Sequence, residues 1–239
     1  MPDPVPARGV PVLDHLVYAT PDLERTVEEV AELTGVRPAA GGSHPGMGTR
    51  NVLLGLGEGR YFEIVGPDRE QPEPDGPRWF GIDALDGPRL VHWAVRTTDI
   101  DATVAEARER GYEPGEPVAM SRRTPDGDVL SWRLTLPRTR PHGADGLVPF
   151  LLDWGTTTHP SARDLPVLPL VSFTATHPEP AAVRAALAAL AALDVSGDGA
   201  GAGAGPDVRT GPVPGLTAVL EGHHGPVTFG RGTAEGATA

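Results

Sequence analysis

Residues 13–27 read LDHLVYATPDLERTV and residues 90–104 read LVHWAVRTTDIDATV, two stretches that align without a gap at a constant offset of 77. His15 falls on His92, Thr20 on Thr97, Asp22 on Asp99, Leu23 on Ile100 and Val27 on Val104. A repeat on this scale decides the fold ahead of any single element, because each copy is then one supersecondary unit. Each copy opens as a short strand and passes into a helix. Leu23, Val27 and Val30 in the first, and Ile100, Val104 and Ala107 in the second, return at helical spacing and predict one buried stripe. Asp22 and Asp99 stand where an N-cap carboxylate accepts from free backbone N–H groups. Gly35 and Gly111 stand where a helix ends on a left-handed residue.

Outward from the repeat, NVLLGLG and RYFEIVG follow the first helix, and VLSWRLTL and VPFLLDWG follow the second. The expected class is α+β, with a βαβββ module over residues 11–66, a connector over 67–88 and a second βαβββ module over 89–160. A degenerate third module occupies 168–230, beginning at LVSFTATHPEP, with Ser172 in the place of the histidine. Its segment 196–206, SGDGAGAGAGP, has the composition of a flexible loop.

Composition narrows the function. The chain of 239 residues carries a net charge of -12, which argues against nucleic acid as partner because phosphate binding needs a basic footprint. No apolar run is long enough for a bilayer span and the N-terminus lacks a signal pattern, so no membrane partner and a cytoplasmic location are expected. With no cysteine, any metal must be held by His, Asp or Glu.

Four residues stand at matching places in the two strong copies: His15 and His92 on the first strand, Glu63 and Asp153 on the last. A lone strand histidine is more often a half-buried hydrogen-bonding residue than a ligand. Repetition of ligand-type residues in both copies favours a shared site, and two imidazoles with two carboxylates suit Zn, Ni, Fe, Mn or Co. Arg123 and Arg133 flank the turn Pro125-Asp126-Gly127 with Trp132 beside them, in a segment (122–140) holding five Arg against two Asp. Those two guanidinium groups are expected to grip an anionic substrate, with a solvated, ion-paired hairpin as the alternative. His159 is a candidate hydrogen-bond partner near Asp153.

A βα-plus-strands unit used twice, with His on the first strand and Glu or Asp on the last, resembles the vicinal oxygen chelate superfamily and its glyoxalase-like domains. The resemblance covers residues 11 to about 160. It implies paired modules curled into a cupped mixed sheet around a divalent metal, with His15, Glu63, His92 and Asp153 as ligands and open positions for two neighbouring oxygens of a small-molecule substrate. The chemistry implied is Lewis-acid proton transfer, as an isomerase or lyase, with Glu63 or Asp153 moving the proton. A metal-free drug-binding protein of the same fold and an extradiol-type dioxygenase are the alternatives, and a homodimer stays open.

Overall fold

The computed structural model describes residues 11–135, 146–190, 205–231 and 235–236. The first half runs β1 (Val12–Ala19), α1 (Leu23–Thr34), β2 (Ala39–His44), β3 (Thr49–Gly57) and β4 (Arg60–Pro67). The second runs β5 (Arg89–Arg96), α2 (Ile100–Glu109), β6 (Pro117–Arg123), β7 (Val129–Thr135) and β8 (Phe150–Asp153). Capping works alike in both: Asp22 accepts from the Arg25 N–H and Asp99 from the Ala102 N–H. The hydroxyls of Thr20 and Thr26 meet at 2.7 Å, and those of Thr97 and Thr103 at 2.8 Å. Gly35, at φ +73°, ends α1 by donating to the Ala31 carbonyl. The stripe Ile100, Val104, Ala107 is buried as expected; in α1, Thr26 is buried while Val27 is half-buried.

The eight strands close into a barrel in the order β1-β4-β3-β2-β6-β7-β8-β5. In each half the first strand runs parallel to the last, β1 with β4 and β5 with β8, as two copies of one unit require. The halves are joined along the antiparallel β1–β5 seam, whereas β2 and β6 pair only at Ser43 and Arg123. Strand alternation divides the core. Leu16, Tyr18, Phe62, Ile64 and Trp93 face out, and Val17, Leu53, Tyr61, Ala94, Phe150 and Leu152 face in.

One irregularity matters for the site. Leu13 pairs with Val95 and His15 with Ala94, so Asp14 is an extra residue in β1, a β-bulge that re-aims side chains.

The remaining strands are β9 (Leu170–His177), β10 (Asp207–Thr210), β11 (Gly215–Gly222), β12 (Gly225–Phe229) and β13 (Glu235–Gly236), with α3 (Pro180–Ala189) after β9. They form a separate sheet, β10-β9-β11-β12-β13. It packs on the outside of the barrel, with Phe229 against Tyr18 and Phe62 at 5.4 and 5.0 Å and Phe173 against Trp93 at 5.4 Å. Ser172 is exposed. The loop expected at 196–206 lies outside the described residues except for Gly205 and Pro206, as do Arg138 and Arg140. Among the described residues no helix is long and apolar enough to cross a membrane.

Candidate active site

Inside the barrel, a small cavity open to solvent is bordered by residues of β1 to β4 on one side and β6 to β8 on the other. Its polar residues are His15, His44, Asn51, Glu63 and Arg122. Its walls are aromatic, from Tyr61, Trp132, Phe150 and Trp154, and the connector lays Trp79 and Phe80 across it. Phe80 adopts φ +56°, a left-handed backbone unusual for a side chain of that size. Sequence reading treats 67–88 as a mere connector. An aromatic pair inside a segment rich in Pro, Gly and Asp is the signal that it does more.

Glu63 and His15 come together: His15 Nε2 lies 3.7 Å from Glu63 Oε2. The other Glu63 oxygen accepts from the Asn51 carboxamide at 2.5 Å. His15 is held from behind, its Nδ1–H donating to Asp14 at 2.6 Å while its ring stacks on Tyr61 at 4.6 Å. Asp14 is wholly buried and also accepts from His159 Nε2 at 2.9 Å and Trp154 Nε1 at 3.1 Å. Burial works to raise its carboxyl, but hydrogen bonds from His15 and His159 outweigh that and hold it well below the usual carboxylate range. Asp14 is therefore an acceptor only, so His15 carries a proton on Nδ1 and turns Nε2 towards Glu63.

His159 thus partners Asp14 rather than Asp153, and its Nδ1 in turn meets Ser161 Oγ at 2.6 Å. The hydrogen bonds run from the barrel interior to a second, outer pocket lined by Arg96, His159 and Ser161. Nothing in the sequence marks Asp14, because only the bulge gives it a buried place beside His15.

The other expected ligands do not join them. Asp153 faces the helix layer, its oxygens accepting from the Ile100 and Gly155 N–H groups at 3.3 and 2.8 Å. The reason is register. Val17 pairs with Glu63; adding the repeat offset of 77 gives Ala94, which pairs with Phe150. Phe150 therefore occupies the second copy's equivalent of Glu63, and Asp153 that of Gly66. His92 packs its ring on Phe150 at 5.2 Å, and its Nδ1 accepts from the Trp93 N–H at 3.0 Å.

Members of the superfamily commonly bind a divalent metal. Here the donors do not fit one: among the described residues, no three His, Cys, Asp or Glu side chains form a group that could hold an ion. A buried guanidinium, Arg122, shares the cavity instead.

The arginine handle also shifts by one residue. Arg123 is exposed and Arg133 forms a two-pronged ion pair with exposed Asp101 at 2.6 and 2.8 Å, while Arg122 and Trp132 point inward. Pairing of Met120 with Trp132 and Arg122 with Leu130 puts β6 and β7 in a register that fixes this parity.

Burial pushes the His92 imidazole down to about 4, opposed by the hydrogen bond a protonated Nδ1 donates to the Trp93 carbonyl and helped by nearby His15. Below the ordinary histidine value the unfolded chain takes up a proton that the folded chain refuses until about pH 4. Stability should therefore fall as pH drops from about 6.5 to about 4. Denaturant titrations across that range check this, and His92→Gln should flatten the slope.

The glyoxalase-like domain family model matches residues 13–191. A hypothetical protein from Staphylococcus aureus shares 15% identity over 86% of this chain and 88% of its own, with a TM-score of 0.64, which is a likeness of fold. Methylmalonyl-CoA epimerase from Mycobacterium tuberculosis aligns at 18% identity over 67% of this chain and 98% of its own, TM-score 0.41. A Streptomyces coelicolor methylmalonyl-CoA epimerase in complex with 2-nitronate-propionyl-CoA aligns at 22% over 64% and 100%, TM-score 0.43. Neither epimerase bears on the reaction of this chain. No curated protein matches it. With a closed barrel of two βαβββ halves and a family match over three quarters of its length, the chain belongs to the glyoxalase-like domain family of the vicinal oxygen chelate superfamily.

Proposed function

We propose that the barrel cavity is the active site of a proton-transfer enzyme, an isomerase or lyase acting on a small oxygenated substrate. Glu63 takes a proton from carbon next to a carbonyl group, and His15, oriented by Asp14, holds or returns it at Nε2. The observation that carries this reading is the Asp14–His15–Glu63 array. Its histidine is locked at one nitrogen at 2.6 Å and faces a carboxylate across 3.7 Å with the other. A carboxylate and an imidazole nitrogen at that separation make a seat for a proton-bearing atom. Asn51 keeps Glu63 in place, and the aromatic lining limits water at the reacting atoms.

The test uses pyruvate, the smallest 2-oxo acid with exchangeable C–H groups. Its methyl protons should exchange in deuterium oxide faster with the protein than without it, as followed by proton NMR. Exchange at the background rate with ligand binding intact would leave a binding protein and overturn the enzyme.

Of the four expected donors only His15 and Glu63 line the cavity. Purified protein should then carry well under one divalent metal per chain by elemental analysis, and chelation should leave exchange unchanged. One tightly held ion per chain, lost in His15→Ala, would restore the metal-dependent reading and bring the dioxygenase alternative back with it.

A further inference from the structure

Arg122 is only 2% exposed, yet the one hydrogen bond of its guanidinium among the described residues is a 3.3 Å contact from Nη1 to the Asn51 carboxamide oxygen. A guanidinium carries five N–H donors and is costly to bury without an anion. Two more donors in the same cavity are unmatched. Among the described residues, the buried indole nitrogens of Trp79 and Trp132 have no partner, and Trp132 itself is 8% exposed. Native interiors rarely leave such groups unpaired, so each one calls for a ligand or water.

We infer that Arg122, with the Trp79 and Trp132 indole N–H groups, forms a seat for the carboxylate of a small organic monoanion. The inference rests on the proton-transfer reading and names its substrate class.

Asn51 explains why the seat stays open. Its nitrogen donates to Glu63 and its oxygen accepts from Arg122, so it stands between base and cation and keeps them from neutralising each other. Gly41 makes room for that bridge, since a Cβ there would lie 2.1 Å from Asn51 Oδ1 and 2.9 Å from Arg122 Nη1. A single charge is favoured because the cavity holds one guanidinium and the carboxylate of Glu63 repels a dianion such as phosphate. The aromatic wall asks for a flat or apolar body behind the carboxylate.

The test is calorimetric titration of the full chain with pyruvate, its neutral analogue pyruvamide and inorganic phosphate. Wild type should bind pyruvate about tenfold or more tighter than pyruvamide, as expected for charge-assisted hydrogen bonds, and phosphate more weakly. Arg122→Gln should erase the preference. Since that variant exposes the fold to risk, Trp132→Phe removes the N–H while keeping an aromatic ring and should weaken pyruvate several-fold with the far-ultraviolet dichroism retained. Gly41→Ala, which leaves Arg122 in the sequence, should weaken pyruvate as well. Glu63→Gln should bind pyruvate as well as wild type or better while losing proton exchange, so the anion seat and the proton-transfer reading fail separately. Equal binding of pyruvate and pyruvamide, tighter binding of phosphate, or no binding of pyruvate would overturn the seat.

Discussion

Replacing Glu63 by Gln is expected to slow proton exchange by about 10² to 10⁴-fold, the range seen when a positioned general base is removed. The amide keeps the shape of the side chain and can still hydrogen-bond Asn51 after the carboxamide turns over, so the fold should stand. What it loses is the charge that accepts the proton. Substrate affinity should hold or rise, because the carboxylate repelling the bound anion is gone, and the whole effect then appears in kcat. A loss confined to KM would mean that Glu63 only binds.

Replacing Asp14 by Ala should unfold the protein more readily by about 3–5 kcal/mol, the cost of breaking a buried charged network on one side only. Three donors lose their acceptor at once: His15 Nδ1, His159 Nε2 and Trp154 Nε1. Denaturant midpoints with an unchanged slope would measure it. Asp14 also sets an acid limit. Its folded value is depressed, so its contribution is complete above the unfolded carboxylate value near 3.8 and is lost only as pH falls through the folded one. The His92 effect comes first on acidification, and the Asp14 effect follows. Asp14→Asn, which keeps the volume, should fold but free the His15 tautomer and slow exchange. Finding exchange unaltered in that variant would reduce Asp14 to a structural role.

How much of this could be read from the sequence depends on the range of the interactions involved. The paired βα units were legible because caps, stripes and left-handed glycines are local: Asp22, Asp99 and Gly35 do in the structure what their neighbours in the chain require. His15 and Glu63 were legible as neighbours in one cavity because both lie in the first copy, whose strands β2, β3 and β4 follow one another through short turns. The second copy failed at β8, where the pairing of Ala94 with Phe150 is long-range and follows a longer stretch of sequence than the two residues that join β3 to β4. A shift in strand parity moves a side chain to the other face, so Asp153 left the cavity and Arg122, not Arg123, entered it. Asp14 was hidden because a bulge is a property of two strands together. Arg122 and the indoles of Trp79 and Trp132 became conspicuous only once their missing partners could be seen.

The unequal halves of the barrel have a stereochemical consequence. A duplicated cup with a carboxylate in each half would present bases to both sides of a planar enolate and could interchange left- and right-handed forms of a carbon centre. On the proton-transfer reading, with Phe150 standing where the second half would need its carboxylate and His15 beside Glu63, protons would leave and return from one side only. Deuterium incorporated from solvent into a prochiral CH₂ next to the carbonyl should therefore appear in one enantiotopic position, so the chain would label a substrate without racemising it.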